Sequence, residues 1–221
     1  MDSTIRYARS FRPRRRGLSA EKAERYGRLA TQFCLPEGEG VLDLEAVFGA
    51  GARVVLDIGF GGGEGLVEMA AVRPDECILG VEVHTPGVAT VLDAVEANGW
   101  SHVRVVEGDV LELMPRLRPG SLVGVRVWFP DPWPKNKQRH RRIVRPDVVA
   151  AWAELLVEGG TLHVATDIVD YAVHTERTVA GEARMSGGRV QRPPWRPLTR
   201  FERRGLAEGR EPVDLVYARI S

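Results

Sequence analysis

The order of apolar runs along this chain predicts a doubly wound α/β sheet, and three features carry that reading. Runs of strand length alternate with segments of helical period from residue 53 onward. One run passes straight into the glycine turn Gly59-Phe60-Gly61-Gly62-Gly63 and then into a helix. Acidic residues stand where later runs end, at Glu82, Asp109 and Asp131. A chain that alternates in this way packs a mostly parallel sheet between two helical layers. With 221 residues, 43% of them hydrophobic, one domain can bury a full core. The expected division is a basic arm over residues 1–18 and a single domain over 19–221.

The arm holds Arg6, Arg9, Arg12, Arg14, Arg15 and Arg16 with Pro13 and Gly17, which leaves it little to bury. From Ser19, an N-cap residue type, to Cys34, the spacing of Ala23, Tyr26, Leu29, Ala30 and Phe33 fits one helical face. Residues 41–51 read as loop with a short turn. Arg53 to Ile58 is a buried strand, followed by the glycine turn and a helix over Leu66 to Val72. The next strand is Cys77 to Glu82, then a helix from Pro86 to Asn98, then the strand Val103 to Val106. Leu122 to Phe129 is a strand, Arg145 to Val157 a helix and Gly160 to Thr166 a strand. A helix over Ile168 to Ala183 and a final strand over Val213 to Arg219 close the pattern.

Net charge is only +1, yet the basic residues are segregated. Besides the arm, Lys135, Lys137, Arg139, Arg141, Arg142 and Arg145 form one run, and Arg189, Arg192, Arg196, Arg200, Arg203 and Arg204 another. Local basic patches on a near-neutral chain point to a polyanion such as a nucleic acid. Cys34 and Cys77 lack zinc or CxxC spacing and read as reduced, inert thiols, and the five histidines fall singly, so no metal site is expected. There is no leader-like or membrane-length apolar segment, so a soluble cytoplasmic protein is the expectation.

The segment Trp128-Phe129-Pro130-Asp131-Pro132-Trp133-Pro134-Lys135 follows the strand at its carboxyl end, where open α/β sheets bind ligands. Prolines push the residue before them toward extended conformations. Phe129, Asp131 and Trp133 are therefore expected extended, with Asp131, Trp133 and Lys135 on one wall and Trp133 either stacking on a base or packed inside. Gly59, Gly61 and Gly63 let the backbone approach a ligand closely. Glu82 can accept the hydroxyls of a ribose, and Asp109 either meets an adenine amine or caps the following helix. A pyrophosphate has no use for an acid before the glycine turn, whereas Asp57 suits the ammonium of S-adenosylmethionine and tilts the reading away from a nicotinamide cofactor.

In these residues the chain resembles the bacterial tRNA (guanine-N7)-methyltransferases. The resemblance runs through Arg9-Ser10-Phe11, Asp57 to Gly61, Gly80 to His84, Phe129-Pro-Asp-Pro-Trp133, Lys135, Arg141-Arg142, Ala165-Thr-Asp167 and Arg196 to Glu202, in the family's order. It implies the Rossmann-like class I methyltransferase fold, seven strands with the last antiparallel. It implies S-adenosylmethionine at Asp57, Glu82, Asp109 and Asp131, and substrate contacts at Lys135, Asp167, Thr199, Arg200, Phe201 and Glu202. The chain departs from the family at Asp57, where Glu is common, so the contact there can pass through a water.

Guanine N7 has an in-plane lone pair and no proton to lose, so the reaction needs alignment rather than a general base. Asp131 is the expected catalytic group, stabilising charge as it appears on the purine. Asp167 or Glu202 would read the N1–H and amino edge of guanine, and Arg141 and Arg142 would meet the RNA backbone. The implied substrate is a guanosine in the variable loop of tRNA, with the protein a monomer or a homodimer. Two rivals stand beside this. One is an amino-group methyltransferase, whose Asp/Asn-Pro-Pro-aromatic motif Asp131-Pro132-Trp133 matches imperfectly; the other is a non-catalytic RNA-binding module on the same fold.

Overall fold

The computed structural model describes residues 17–36 and 38–221. The arginines of the arm from Arg6 to Arg16, and the Arg9-Ser10-Phe11 motif, lie outside the described residues. Seven strands form one sheet: β1 (Val54–Ile58), β2 (Cys77–Glu82), β3 (Val103–Glu107), β4 (Leu122–Trp128), β5 (Leu156–Thr166), β6 (Met185–Val190) and β7 (Val213–Arg219), in the order β3-β2-β1-β4-β5-β7-β6. Strands β1 to β5 run parallel, and β7 runs antiparallel to both β5 and β6. This is the seven-stranded class I methyltransferase sheet.

The central strands form because their residues can be buried on both faces, and every residue of β1 is. Leu56, Ile78, Leu79, Val125, Leu162 and Val164 are fully enclosed. Each such side chain contributes roughly 1.5–3 kcal/mol relative to exposure. The order reverses between β1 and β4, and there the carboxyl ends are level: Ile58 pairs with Val81 and with Val127, and Glu82 with Glu107. The acids that follow these strands therefore share one rim.

Helices α1 (Ala20–Phe33), α3 (Glu64–Val72), α4 (Thr85–Asn98), α6 (Pro146–Leu155) and α7 (Val169–Ala180) lie close to their sequence expectations. Ser19 occupies the N-cap of α1 in an extended conformation, without a side-chain cap bond. Arg25 and Arg28 tie α1 to Asp93 and Glu96 of α4, and a bridge between Cys34 and Val105 covers the β3 edge. Both cysteines are free, and burial with nearby Glu107 pushes the Cys34 thiol up to about 11, as an inert thiol requires.

The structure adds elements that the sequence pattern hid. In the segment read as loop, Asp43 accepts from the Glu45 and Ala46 amides and starts α2 (Leu44–Phe48). Thr199 likewise caps α8 (Arg200–Ala207), whereas α5 (Val110–Leu113), capped by Asp109, is the helix start that the sequence offered as one of two readings of that acid. Strand β6, Met-Ser-Gly-Gly-Arg-Val, lacks an apolar alternation because it is an edge strand with mostly exposed side chains. A Cβ at Gly187 would meet the Val216 carbonyl oxygen of β7 at 2.1 Å, so that glycine answers to the pairing.

Candidate active site

The glycine turn leaves β1 and enters α3 at the sheet's point of reversal. Gly61 adopts φ 64°, and its amide donates to Glu82 Oε2 at 2.7 Å. Glu82 Oε1 accepts from the amides of Val83 at 2.7 Å and His84 at 3.0 Å. One carboxylate thus binds the turn of β1 to the end of β2. Of its roughly four acceptor sites, three are occupied, which leaves about one for a ribose hydroxyl rather than one for each. Gly87, at the start of α4, lets the turn settle: a Cβ there would stand 1.7 Å from the Gly61 carbonyl oxygen. Gly63 serves as the N-cap of α3.

Asp57 lies just before this turn and is almost completely enclosed. Burial pushes its carboxyl up to about 6; Arg126 draws it down, and Glu82 adds to the rise. A site that disfavours a bare carboxylate favours an incoming cation. Asp109 caps α5 through Oδ1 on the Leu111 amide at 3.0 Å, leaving Oδ2 for a further donor. The neighbouring acid Glu107 accepts from the hydroxyls of Tyr26 and Thr85 and so anchors α1 to the same rim.

A cavity of about 930 Å³ opens at this rim. Asp57, Gly59, Phe60, Gly62 and Leu66 form its floor, Trp128 and Phe129 of the β4 end one wall, and Thr199, Arg200 and Phe201 of α8 another. Leu18, Ser19 and Lys22 reach it from the start of α1. Phe201 is 41% exposed, with its ring against Gly61. His84, which the resemblance includes in its Gly80 to His84 segment without a role, also lines the cavity, and its Nδ1 is buried without a hydrogen-bond partner. Its place two residues past Glu82, at the N-cap of α4 on the ligand-binding rim, was the available signal. Of the expected site residues, Asp57, Gly59, Thr199, Arg200 and Phe201 line this cavity, whereas Gly61, Gly63, Glu82, Asp109, Asp131, Lys135, Asp167 and Glu202 do not.

Three expectations need correction, and one open alternative, the place of Trp133, is decided. Phe129 and Trp133 are not extended: they hold φ values of 53° and 41°. Left-handed conformations in bulky residues cost about 1–3 kcal/mol each, so the surrounding contacts have to enforce them. Trp133 is 2% exposed and is a core residue rather than a stacking platform, with the Arg141 guanidinium 3.8 Å above its ring. Arg142 is fully buried, which removes it from the RNA backbone; Nε donates to the Pro132 carbonyl at 3.0 Å and Nη2 to Asp170. Glu202 is 1% exposed and accepts from Arg196 twice at 2.7 Å and from Arg192 at 3.1 Å, so it cannot read a guanine edge.

Arg196 continues this network to Asp214, which meets His163 at 2.7 Å. Burial opposes the charge on Asp214, but His163 and Arg196 together hold its carboxyl below the usual range. The third basic run is therefore divided: Arg189 pairs with Glu176, Arg192 and Arg196 serve Glu202, and Arg200, Arg203 and Arg204 face solvent, Arg204 paired with Glu208. Asp167 is partly exposed and accepts from Arg210 at 2.7 Å. Lys135 is exposed at the start of a 3₁₀ turn over Asn136–Arg141.

Among the described residues, no helix is long and apolar enough to cross a membrane, and no group of three His, Cys, Asp or Glu could hold a metal ion.

Residues 51–215 match a family described as putative methyltransferase. The chain is 46% identical to a tRNA (guanine-N(7)-)-methyltransferase of Halorhodospira halophila, over 97% of this chain and 96% of that one. It is 36% identical to the protein of the same name from Nitrosomonas eutropha, over 96% and 97%. Among solved structures it is similar to the 16S rRNA methyltransferase KamB, with a TM-score of 0.60 and 17% identity over 83% of this chain and 96% of that one. A 16S rRNA (adenine(1408)-N(1))-methyltransferase from Catenulisporales acidiphilia, solved with the cosubstrate SAM, gives 0.57 and 16% over 84% and 95%. Those two likenesses concern the fold.

Proposed function

The chain belongs to the tRNA (guanine-N7)-methyltransferases, and from that premise we propose how its residues carry out methyl transfer. The enzyme transfers a methyl group from S-adenosylmethionine to N7 of a guanosine in tRNA. The observation that carries the site assignment is the enclosed Asp57 beneath a glycine turn, at the floor of a cavity opening at the point of strand reversal. The residues fit the cosubstrate: Asp57 for its ammonium, Glu82 for one ribose hydroxyl, Asp109 Oδ2 for the adenine amine, and Gly59, Gly61 and Gly63 for close backbone approach. When bound there, S-adenosylmethionine supplies an electrophilic sulfonium methyl.

The protein's task is to aim N7 at that methyl and to hold charge where it forms. Asp131 follows the end of β4, two residues past the Phe129 wall, and is partly exposed. Its carboxylate is the group that stabilises the purine cation. With Glu202 withdrawn into the interior, Asp167 is the acid that reads the N1–H and amino edge of guanine. Its bond from Arg210 takes one oxygen and leaves the other for the base. Thr199, Arg200 and Phe201 line the cavity at the start of α8 and face the substrate, while the exposed Lys135 and the half-buried Arg141 meet the RNA backbone. Residues 19–221 act as one methyltransferase domain, with the basic arm over 1–18 ahead of it, and the target guanosine lies in the variable loop.

Incubation with unmodified tRNA and methyl-labelled S-adenosylmethionine, followed by digestion to nucleosides and mapping, tests this reading. Cationic N7-methylguanosine from the variable loop is expected. Neutral N6-methyladenosine would support the amino-group rival, and absence of label the non-catalytic one.

A further inference from the structure

Asp131 lies midway between two left-handed residues, Phe129 and Trp133, each followed by a proline. Such a segment keeps a single shape only when its neighbours enforce it. The near end is held by the Phe129 amide, which donates to the Ala165 carbonyl of β5 at 2.7 Å. The far end is held from below by Arg142. Its Nε donates at 3.0 Å to the carbonyl of Pro132, the residue directly after Asp131. Its guanidinium lies 5.0 Å from the centre of the Tyr171 ring, and Nη2 reaches the Asp170 carboxylate, which also accepts from Arg139 at 2.9 Å.

We propose that Arg142 is a positioning residue for methyl transfer, holding the Asp131 carboxylate in place through the Pro132 carbonyl while Asp170 orients the guanidinium. The proposal rests on the assignment of Asp131 made above. A lysine keeps the charge but lacks the planar fork needed to serve Pro132 and Asp170 together, so charge alone does not substitute.

Saturating kinetics on the full chain with tRNA, as a double-mutant cycle of Arg142→Lys and Asp131→Asn, tests this. Arg142→Lys is expected to lower saturated turnover about 10- to 100-fold. The Michaelis constants and the salt dependence of tRNA binding stay close to the parent's. In the double variant, Arg142→Lys adds little to the loss caused by Asp131→Asn. Parent-like turnover, a flatter salt dependence or fully additive losses would each overturn the proposal. Additive losses with Asp131→Asn impaired sink the Arg142 role alone, whereas parent-like turnover of Asp131→Asn sinks the underlying site assignment. If Arg142→Lys does not fold, Asp170→Asn serves, because that side chain is 49% exposed. It should lower turnover in the same direction without changing the salt dependence; parent-like turnover in it overturns the proposal equally.

Discussion

Arg196 and Glu202 form a two-pronged ion pair, 2.7 Å on each prong, with both side chains sealed from solvent. In an ordinary capping box the glutamate three residues past the cap would turn back to the cap's own amide. Here the Thr199 hydroxyl still accepts from the Glu202 amide at 3.1 Å, but the carboxylate turns inward. The pair thereby pins the start of α8, with Thr199 and Phe201, against the cavity.

Glu202→Ala should therefore act first on stability. Removing one partner of a buried pair leaves an uncompensated charge and costs about 3–5 kcal/mol. Urea denaturation checks this. A loss under about 1 kcal/mol, as for a surface pair, would show that Arg196 is fully satisfied by Asp214.

Asp57 links cosubstrate binding to pH. Its folded carboxyl lies at about 6 against an ordinary 3.8, so the folded state holds the proton longer than the unfolded one. Its ionisation costs no folded-state stability below about 3.8, and that cost grows as pH rises and is complete above about 6. Asp57→Asn should melt higher than the parent above pH 6, with the difference fading toward pH 4. Parent affinity for S-adenosylmethionine should fall as pH drops below about 6, and the variant should bind weakly at every pH. Calorimetry that finds the two equally pH-independent would remove Asp57 from the site.

Glu82→Gln keeps size but sets an amide NH₂ where at least one backbone N–H now donates. Losing a charged acceptor costs about 1.5–3 kcal/mol, so S-adenosylmethionine affinity should drop roughly 10- to 150-fold. Unchanged affinity by calorimetry would make Glu82 dispensable to the glycine turn and to the ribose.

These residues also mark where sequence reading succeeds and where it stops. Strands β1, β2 and β4 were legible because burial on both faces leaves unbroken apolar runs, and the acids after them were legible as strand ends. Strand β6 was not, since an edge strand with two glycines carries no such run. The prolines after Phe129 and Trp133 argued for extended backbone, but tertiary contacts from Ala165, Arg141 and Arg142 override that local preference. Arg142 and Arg196 sit in basic runs that read as patches for a polyanion, and only the fold brings Asp170, Glu202 and Asp214 to them.

Arg200 and Arg204 are exposed arginines of α8 that line the cavity. Replacing both by Ala should weaken tRNA binding and reduce its log-log salt slope by about 0.7–0.9 per lost phosphate contact. The same slope as the parent's would place the RNA on another face.

Asp131→Asn keeps the size of the side chain and both flanking prolines, so only the charge is removed. Steady-state kinetics at saturating S-adenosylmethionine and tRNA should show turnover lowered about 10- to 150-fold, equivalent to roughly 1.5–3 kcal/mol of transition-state stabilisation. Both Michaelis constants should change much less. Near-parent turnover under those conditions would contradict a charge-stabilising carboxylate at the end of β4.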